Sequence, residues 1–162
     1  MLDGSMNSPI FTNVATYKEI AADAFESMRG LIDSGRKPKD DGSGWILQFD
    51  PKQQSFRQAM IVIVFVGMWL DALLHLLIVR DHSGQKFREL DFKSYEEKLQ
   101  LLGVSDQAIL ESAARYRKAR KELVHEKAHF DSGELKSAQD EADNAYQLLL
   151  AIDSALVGQP PQ

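Results

Sequence analysis

Residues 59–79 read AMIVIVFVGMWLDALLHLLIV, a stretch long and apolar enough to cross a bilayer. Its reading decides the fold, because it is either a membrane anchor or the central helix of a bundle. Asp71 stands near its middle, with His75 one turn later. An acidic residue at the centre of a membrane span costs roughly 2.5–3.5 kcal/mol on insertion scales. The expectation is therefore a buried helix with no membrane contact. The apolar pattern extends over about residues 53–80 and covers most of the helix circumference, which predicts a central position in the bundle.

Outward from this segment the pattern stays helical. Upstream, residues 16–34 place Tyr17, Ile20, Ala21, Ala24, Phe25, Met28, Leu31 and Ile32 at helical spacing, ending near Gly35. KPKDDGSG, residues 37–44, reads as a polar loop, and GWILQF, residues 44–49, as a short extended segment. Downstream, DHSGQK (81–86) reads as a break and SYEEKLQLLG (94–103) as a short helix with glycine as its stop. Ser105 or Asp106 can cap a further helix reaching about His129, DSGE (131–134) separates it from a last helix over 134–157, and the tail to residue 162 is expected to be disordered. Residues 1–8, MLDGSMNS, have neither the basic start nor the apolar core of a signal peptide, and read as an artificial leader. No internal repeat is visible, so residues 9–157 are expected to form one all-α domain, an up-and-down bundle of four or five helices.

Composition limits the function classes. With 162 residues, 44% hydrophobic and 27% charged, the chain can bury a full-sized core. It has no cysteine, which excludes disulfides, thiolate metal sites and thiol nucleophiles and is compatible with a cytoplasmic location. A net charge of −5 argues against indiscriminate polyanion binding, so any nucleic-acid contact must come from a local basic patch.

The one stretch dense in chemistry is RKELVHEKAH, residues 120–129. On a helix turning about 100° per residue from Ile109, the positions Ala113, Tyr116, Leu123 and Val124 fall with it in one apolar stripe, and Arg120 falls in the middle of that stripe. A guanidinium there cannot shed its charge and needs a carboxylate or a bound anion. Asp71, set in the most apolar helix, is the matching partner. The pair can equally be a purely structural ion pair. His125 lies about 140° around the helix from Arg120, so the two converge on one target only through a bend or a second subunit. A two-fold homodimer lined by this helix would bring two copies of each residue around one cleft. Imidazole and guanidinium suffice for RNA cleavage without metal: one group takes the 2′-hydroxyl proton, another protonates the leaving oxygen, and guanidinium stabilises the phosphate charge.

Arg115, Tyr116, Arg117 and Lys118 precede the pair and form a candidate RNA-binding run, holding phosphates with a ring available for stacking. A solvated helix face balanced by Glu111 and Glu122 is the alternative.

RKELVHE, residues 120–126, resembles the R-x4-6-H motif of the HEPN superfamily (higher eukaryotes and prokaryotes nucleotide-binding). FRQAMIVIVFVGMWLDALLHLLI resembles that family's long central helix, which often has an acidic residue near its middle, and SYEEKLQLLG the short helix after it. The order of elements is similar to about residue 155. The resemblance implies a helical, commonly dimeric fold whose active members are metal-independent endoribonucleases of toxin–antitoxin, antiphage and RNA-processing systems. It implies Arg120 and His125 as the catalytic pair, Asp71 orienting Arg120, no cofactor, and RNA plus an antitoxin or regulatory protein as partners; Glu126 and Lys121, adjacent in the same stretch, are candidate supporting residues. Lys121 departs from the asparagine or other neutral polar residue that often follows the arginine. A catalytically silent interaction or dimerisation module of the same fold is the alternative.

The same stretch also spells H-E-x-x-H at His125, Glu126 and His129, the pattern of a zinc hydrolase. Lys127 between glutamate and the second histidine and Asp131 beyond it are unlike that family, no convincing sheet is available, and a third ligand would have to be Glu134 or Glu141. The expectation is that no metal is bound and that His129 serves as a helix C-terminal residue facing the dipole.

Overall fold

The computed structural model describes residues 12–47, 50, 52–124 and 137–157. Within them the chain forms six helices and a small hairpin: α1 (Val14–Ser34), β1 (Arg36–Pro38), β2 (Trp45–Leu47), α2 (Gln54–Asp81), α3 (Gly84–Leu90), α4 (Tyr95–Leu101), α5 (Gln107–Val124) and α6 (Ala138–Leu156). The all-α expectation holds at this level.

Helix α2 is the axis of the bundle. Val62, Val66, Trp69, Leu70 and Ile78 are completely buried along it, and α1 and α6 pack against its length. It is the one described helix long and apolar enough to cross a membrane, and more than half of its most apolar stretch lies inside the protein. Its start is held by Asp50, whose carboxylate accepts from the Ser55 backbone at 2.8 Å and the Ser55 hydroxyl at 3.0 Å. The backbone bond from Ser55 holds the Asp50 carboxyl below its usual range. Gln139, at the start of α6, donates to the same Ser55 hydroxyl at 3.2 Å, so α2 and α6 begin side by side. Helix α1 runs the opposite way to α6, as the pairs Lys18–Asp153, Phe25–Tyr146 and Arg29–Asp143 show by their reversed order.

Several local signals act as expected. Asp106 caps α5, its carboxylate accepting from the Ala108 backbone at 2.9 Å. The structure adds a complete capping box, formed by Ser94 and Glu97 at the start of α4, that the sequence reading did not name. Gly103 has φ 88°, the left-handed conformation that stops a helix without a Cβ penalty.

Two elements depart from the sequence expectation, and both are short. β1, overlapping the start of the stretch read as loop, pairs antiparallel with β2 through Arg36–Leu47 and Pro38–Trp45. α3 occupies part of the stretch read as a break. Ser83 caps it by accepting from the Lys86 backbone at 3.0 Å, and Phe87 packs at a tilt against His75 of α2 with ring centroids 4.1 Å apart. Seven residues span too few turns for periodicity to register, so the described bundle has six helices rather than four or five. The buried face of α5 is also wider than expected. Leu110 and Ala119 are buried with Ala113 and Tyr116, whereas Ile109 and Leu123 are only partly covered.

Candidate functional site

The site begins with an absence in α2. Gly67 and Asp71 lie one turn apart on the same side of the helix. A Cβ at Gly67 would sit 2.6 Å from the Tyr116 hydroxyl and 2.7 Å from Cζ and Nε of Arg120. The guanidinium of Arg120 can therefore approach α2 this closely only because residue 67 has no side chain. From there it reaches Asp71, with Nη1 at 3.4 Å from Oδ2. The expected partners do meet, and they do so at the lip of the bundle: the side chains are 32% and 51% exposed.

Tyr95 supplies the closer contact. Nη1 of Arg120 donates to its hydroxyl at 2.7 Å, against 3.4 Å for the carboxylate. Burial, reinforced by the Asp71 charge and by a hydrogen bond with Asp71, pushes the Tyr95 phenol above its ordinary range, and Arg120 only partly opposes this. Tyr95 thus stays a neutral phenol that accepts from Arg120 beside the Asp71 charge. Both of these Arg120 bonds leave from Nη1, and among the described residues Nη2 and Nε have no hydrogen-bond partner. Sequence reading missed Tyr95 and Gly67. A glycine one turn before Asp71, in an otherwise bulky helix, was the only available signal for either.

The site opens into a cleft of about 480 Å³ between α2, α4 and α5. Arg117, Arg120, Lys121, Lys93 and Lys98 line it, with Asp71 and Asp91 as its only carboxylates among the described residues. Lys93 and Arg117 are each paired with a neighbouring glutamate, Glu97 at 3.1 Å and Glu96 at 3.3 Å. Lys98 is different. It is only 8% exposed, and its ammonium meets the carbonyl of Asp91 at 3.1 Å and the face of Phe87 at 5.8 Å, with no carboxylate among the described residues. A cation so buried and so weakly compensated favours an anion in the cleft.

The basic run divides between different tasks. Arg117 and Lys121 face the cleft; Lys118 is exposed away from it. Arg115 turns to α6 and donates to Glu141 at 3.0 Å. Tyr116 offers no ring to a base, which corrects that expectation: it is 3% exposed and its hydroxyl donates to the Ile63 carbonyl at 2.6 Å. Its aromatic surface is spent on the core, and burial pushes its phenol far above the ordinary range. Glu141 is likewise no free metal ligand, being 5% exposed and engaged by Arg115. His125, Glu126, His129 and Glu134 lie outside the described residues, within which no cluster of potential metal ligands occurs.

The Arg115–Glu141 pair sets a first prediction. Arg115→Ala strands a buried carboxylate and is expected to destabilise the fold by about 1–3 kcal/mol, whereas Glu141→Gln returns a half-exposed arginine to water and should be milder. Chemical denaturation of the two variants checks the order. Equal destabilisation would mean that Arg115 contributes packing rather than charge.

Comparison of the chain with family models, with curated proteins and with solved structures finds no match in any of the three.

Proposed function

We propose that the protein is a metal-independent endoribonuclease of HEPN type, with Arg120 stabilising phosphate charge and His125 transferring protons. A toxin, antiphage or RNA-processing role belongs to this reading, with an antitoxin or regulatory protein as a possible further partner class. The observation that carries it is the setting of Arg120: a guanidinium held by Tyr95 and Asp71 at the mouth of a basic cleft, with Nη2 and Nε unpartnered among the described residues and so available to an anion. His125 follows Val124, the last described residue of α5.

The chemistry is that of internal transesterification. One imidazole removes the proton of a 2′-hydroxyl, the 2′-oxygen attacks the adjacent phosphorus, and the bond to the 5′-oxygen breaks as that oxygen gains a proton. Guanidinium stabilises the charge on the phosphoryl oxygens during the exchange. Because positions 120 and 125 fall about 140° apart at helical spacing, this reading has the working site assembled by two copies of the chain. Lys121 adds a further cation to the cleft, so its departure from a neutral residue suits phosphate binding.

A silent interaction module is the second reading. It is favoured by the contact between Arg120 and Asp71 and the bond to Tyr95, which together suffice for a structural ion pair. One experiment separates the two. Single-stranded RNA incubated with purified protein in EDTA is expected to be cleaved to products ending in 2′,3′-cyclic phosphate or 3′-phosphate. Cleavage abolished by chelator would transfer the assignment to metal chemistry, and no cleavage under any condition would leave the silent module.

A further inference from the structure

Phe92 is 97% exposed, in the turn between α3 and α4. Single exposed apolar side chains are common on proteins, but the placement of this one is specific. Both chain neighbours, Asp91 and Lys93, line the basic cleft, and so does Ser94. The ring is thus anchored at the cleft rim while covering none of the core.

The turn that presents it is tied down. The Lys93 backbone donates to the Leu90 carbonyl at 2.9 Å. Nζ of the buried Lys98 donates to the Asp91 carbonyl at 3.1 Å. Ser94 is locked in its capping box with Glu97, whose side chain accepts from the Ser94 backbone at 3.0 Å. An aromatic ring on a pre-ordered backbone loses little conformational freedom when it binds. Beside it, the cations hold a place for phosphate. Cationic groove and adjacent free aromatic face together match an unpaired nucleotide, whose phosphate takes the charge and whose base takes the ring.

We infer that Phe92 is a base-stacking residue that gives the cleft its preference for single-stranded over paired RNA. This rests on the RNA reading above and adds to it the residue that selects the strand state. A stacked base must leave its own helix, so a duplex can offer phosphates to the cleft but no base to Phe92. Stacking is tolerant of base identity, so the preference is for strand state rather than sequence.

The test is equilibrium binding of a fluorescently labelled 2′-O-methyl oligoribonucleotide, which lacks the nucleophile and is not cleaved. Phe92→Ala is expected to weaken single-strand binding about tenfold, Phe92→Trp to restore it, and binding of the matching duplex to change little with either. A 2-aminopurine base in the single strand is expected to be quenched by the unmodified protein and not by Phe92→Ala. The side chain is solvent-exposed, so all variants should fold. If Phe92→Ala binds as the unmodified protein does while Lys121→Glu loses binding, the stacking role is wrong and the RNA reading stands. If the unmodified protein binds no RNA, both fall. If Phe92→Ala instead changes the molecular mass in light scattering, the ring belongs to a protein interface and the stacking role is overturned.

Discussion

RNA cleavage by the Arg120→Ala protein is expected to fall on the order of 10²–10³-fold, the usual effect of removing one preorganised donor aimed at developing negative charge. His125→Ala should cost about 10²–10⁴-fold through loss of proton transfer. His129→Ala should leave most activity, which is the reverse of what a zinc site would show. Folding should barely change in the arginine variant, because Asp71 is half exposed and water can replace its 3.4 Å contact. For the same reason Asp71→Ala should cost about 1 kcal/mol or less, below what a fully buried pair would imply, while letting Arg120 swing on its Tyr95 contact. Arg120→Lys should not rescue, since an ammonium cannot reach Tyr95 and also present a planar fork to phosphate. Mixing Arg120→Ala with His125→Ala protein tests assembly. Mixed dimers regain activity if the arginine of one copy works with the histidine of the other, and stay inactive if both must come from one chain. A monomer in light scattering at micromolar concentration would count heavily against the two-fold site.

The second large effect is expected at Gly67, which makes no polar side-chain contact of its own. Gly67→Ala adds a methyl group where Tyr116 and Arg120 already lie within 2.7 Å. Helix propensity gains about 1 kcal/mol from the change, but overpacking of this kind costs about 1–3 kcal/mol, so the net is a modest loss of stability. Activity should suffer more, because a displacement of about 1 Å at a positioned group can cost on the order of 10²-fold. Tyr116 and Arg120 respond differently, which makes the prediction divisible. Tyr116 holds the Ile63 carbonyl, one turn before Gly67, at 2.6 Å. In the double variant Gly67→Ala/Tyr116→Phe the hydroxyl is gone, so thermal stability should partly recover while cleavage stays low. Full activity in Gly67→Ala would show that Arg120 needs no close approach to α2, and would remove glycine from the site.

Some of this was determined by the sequence alone. Asp71 within an apolar helix pointed to α2 as a core helix, because an isolated charge is expensive in lipid and tolerable at the edge of a bundle, and more than half of the helix's most apolar stretch is buried inside the protein. Arg120 within the apolar face of α5 required a partner, and Asp71 was the matching carboxylate. Both inferences rest on helical periodicity, a local property that any single helix displays. Tertiary structure alone decided the rest. Tyr95 sits in a seven-residue helix with a capping signal but no mark of function, and it became the main hold on Arg120 only when α4 packed beside α5. Gly67 acquired its role from the approach of two side chains on another helix. The basic run looked uniform along the chain, yet Arg115 went to Glu141, Tyr116 to the core, and only Arg117 and Lys121 joined Arg120 in the cleft. Periodicity tells which side of a helix is buried; which neighbour covers that side, and what it offers there, depends on how the helices pack.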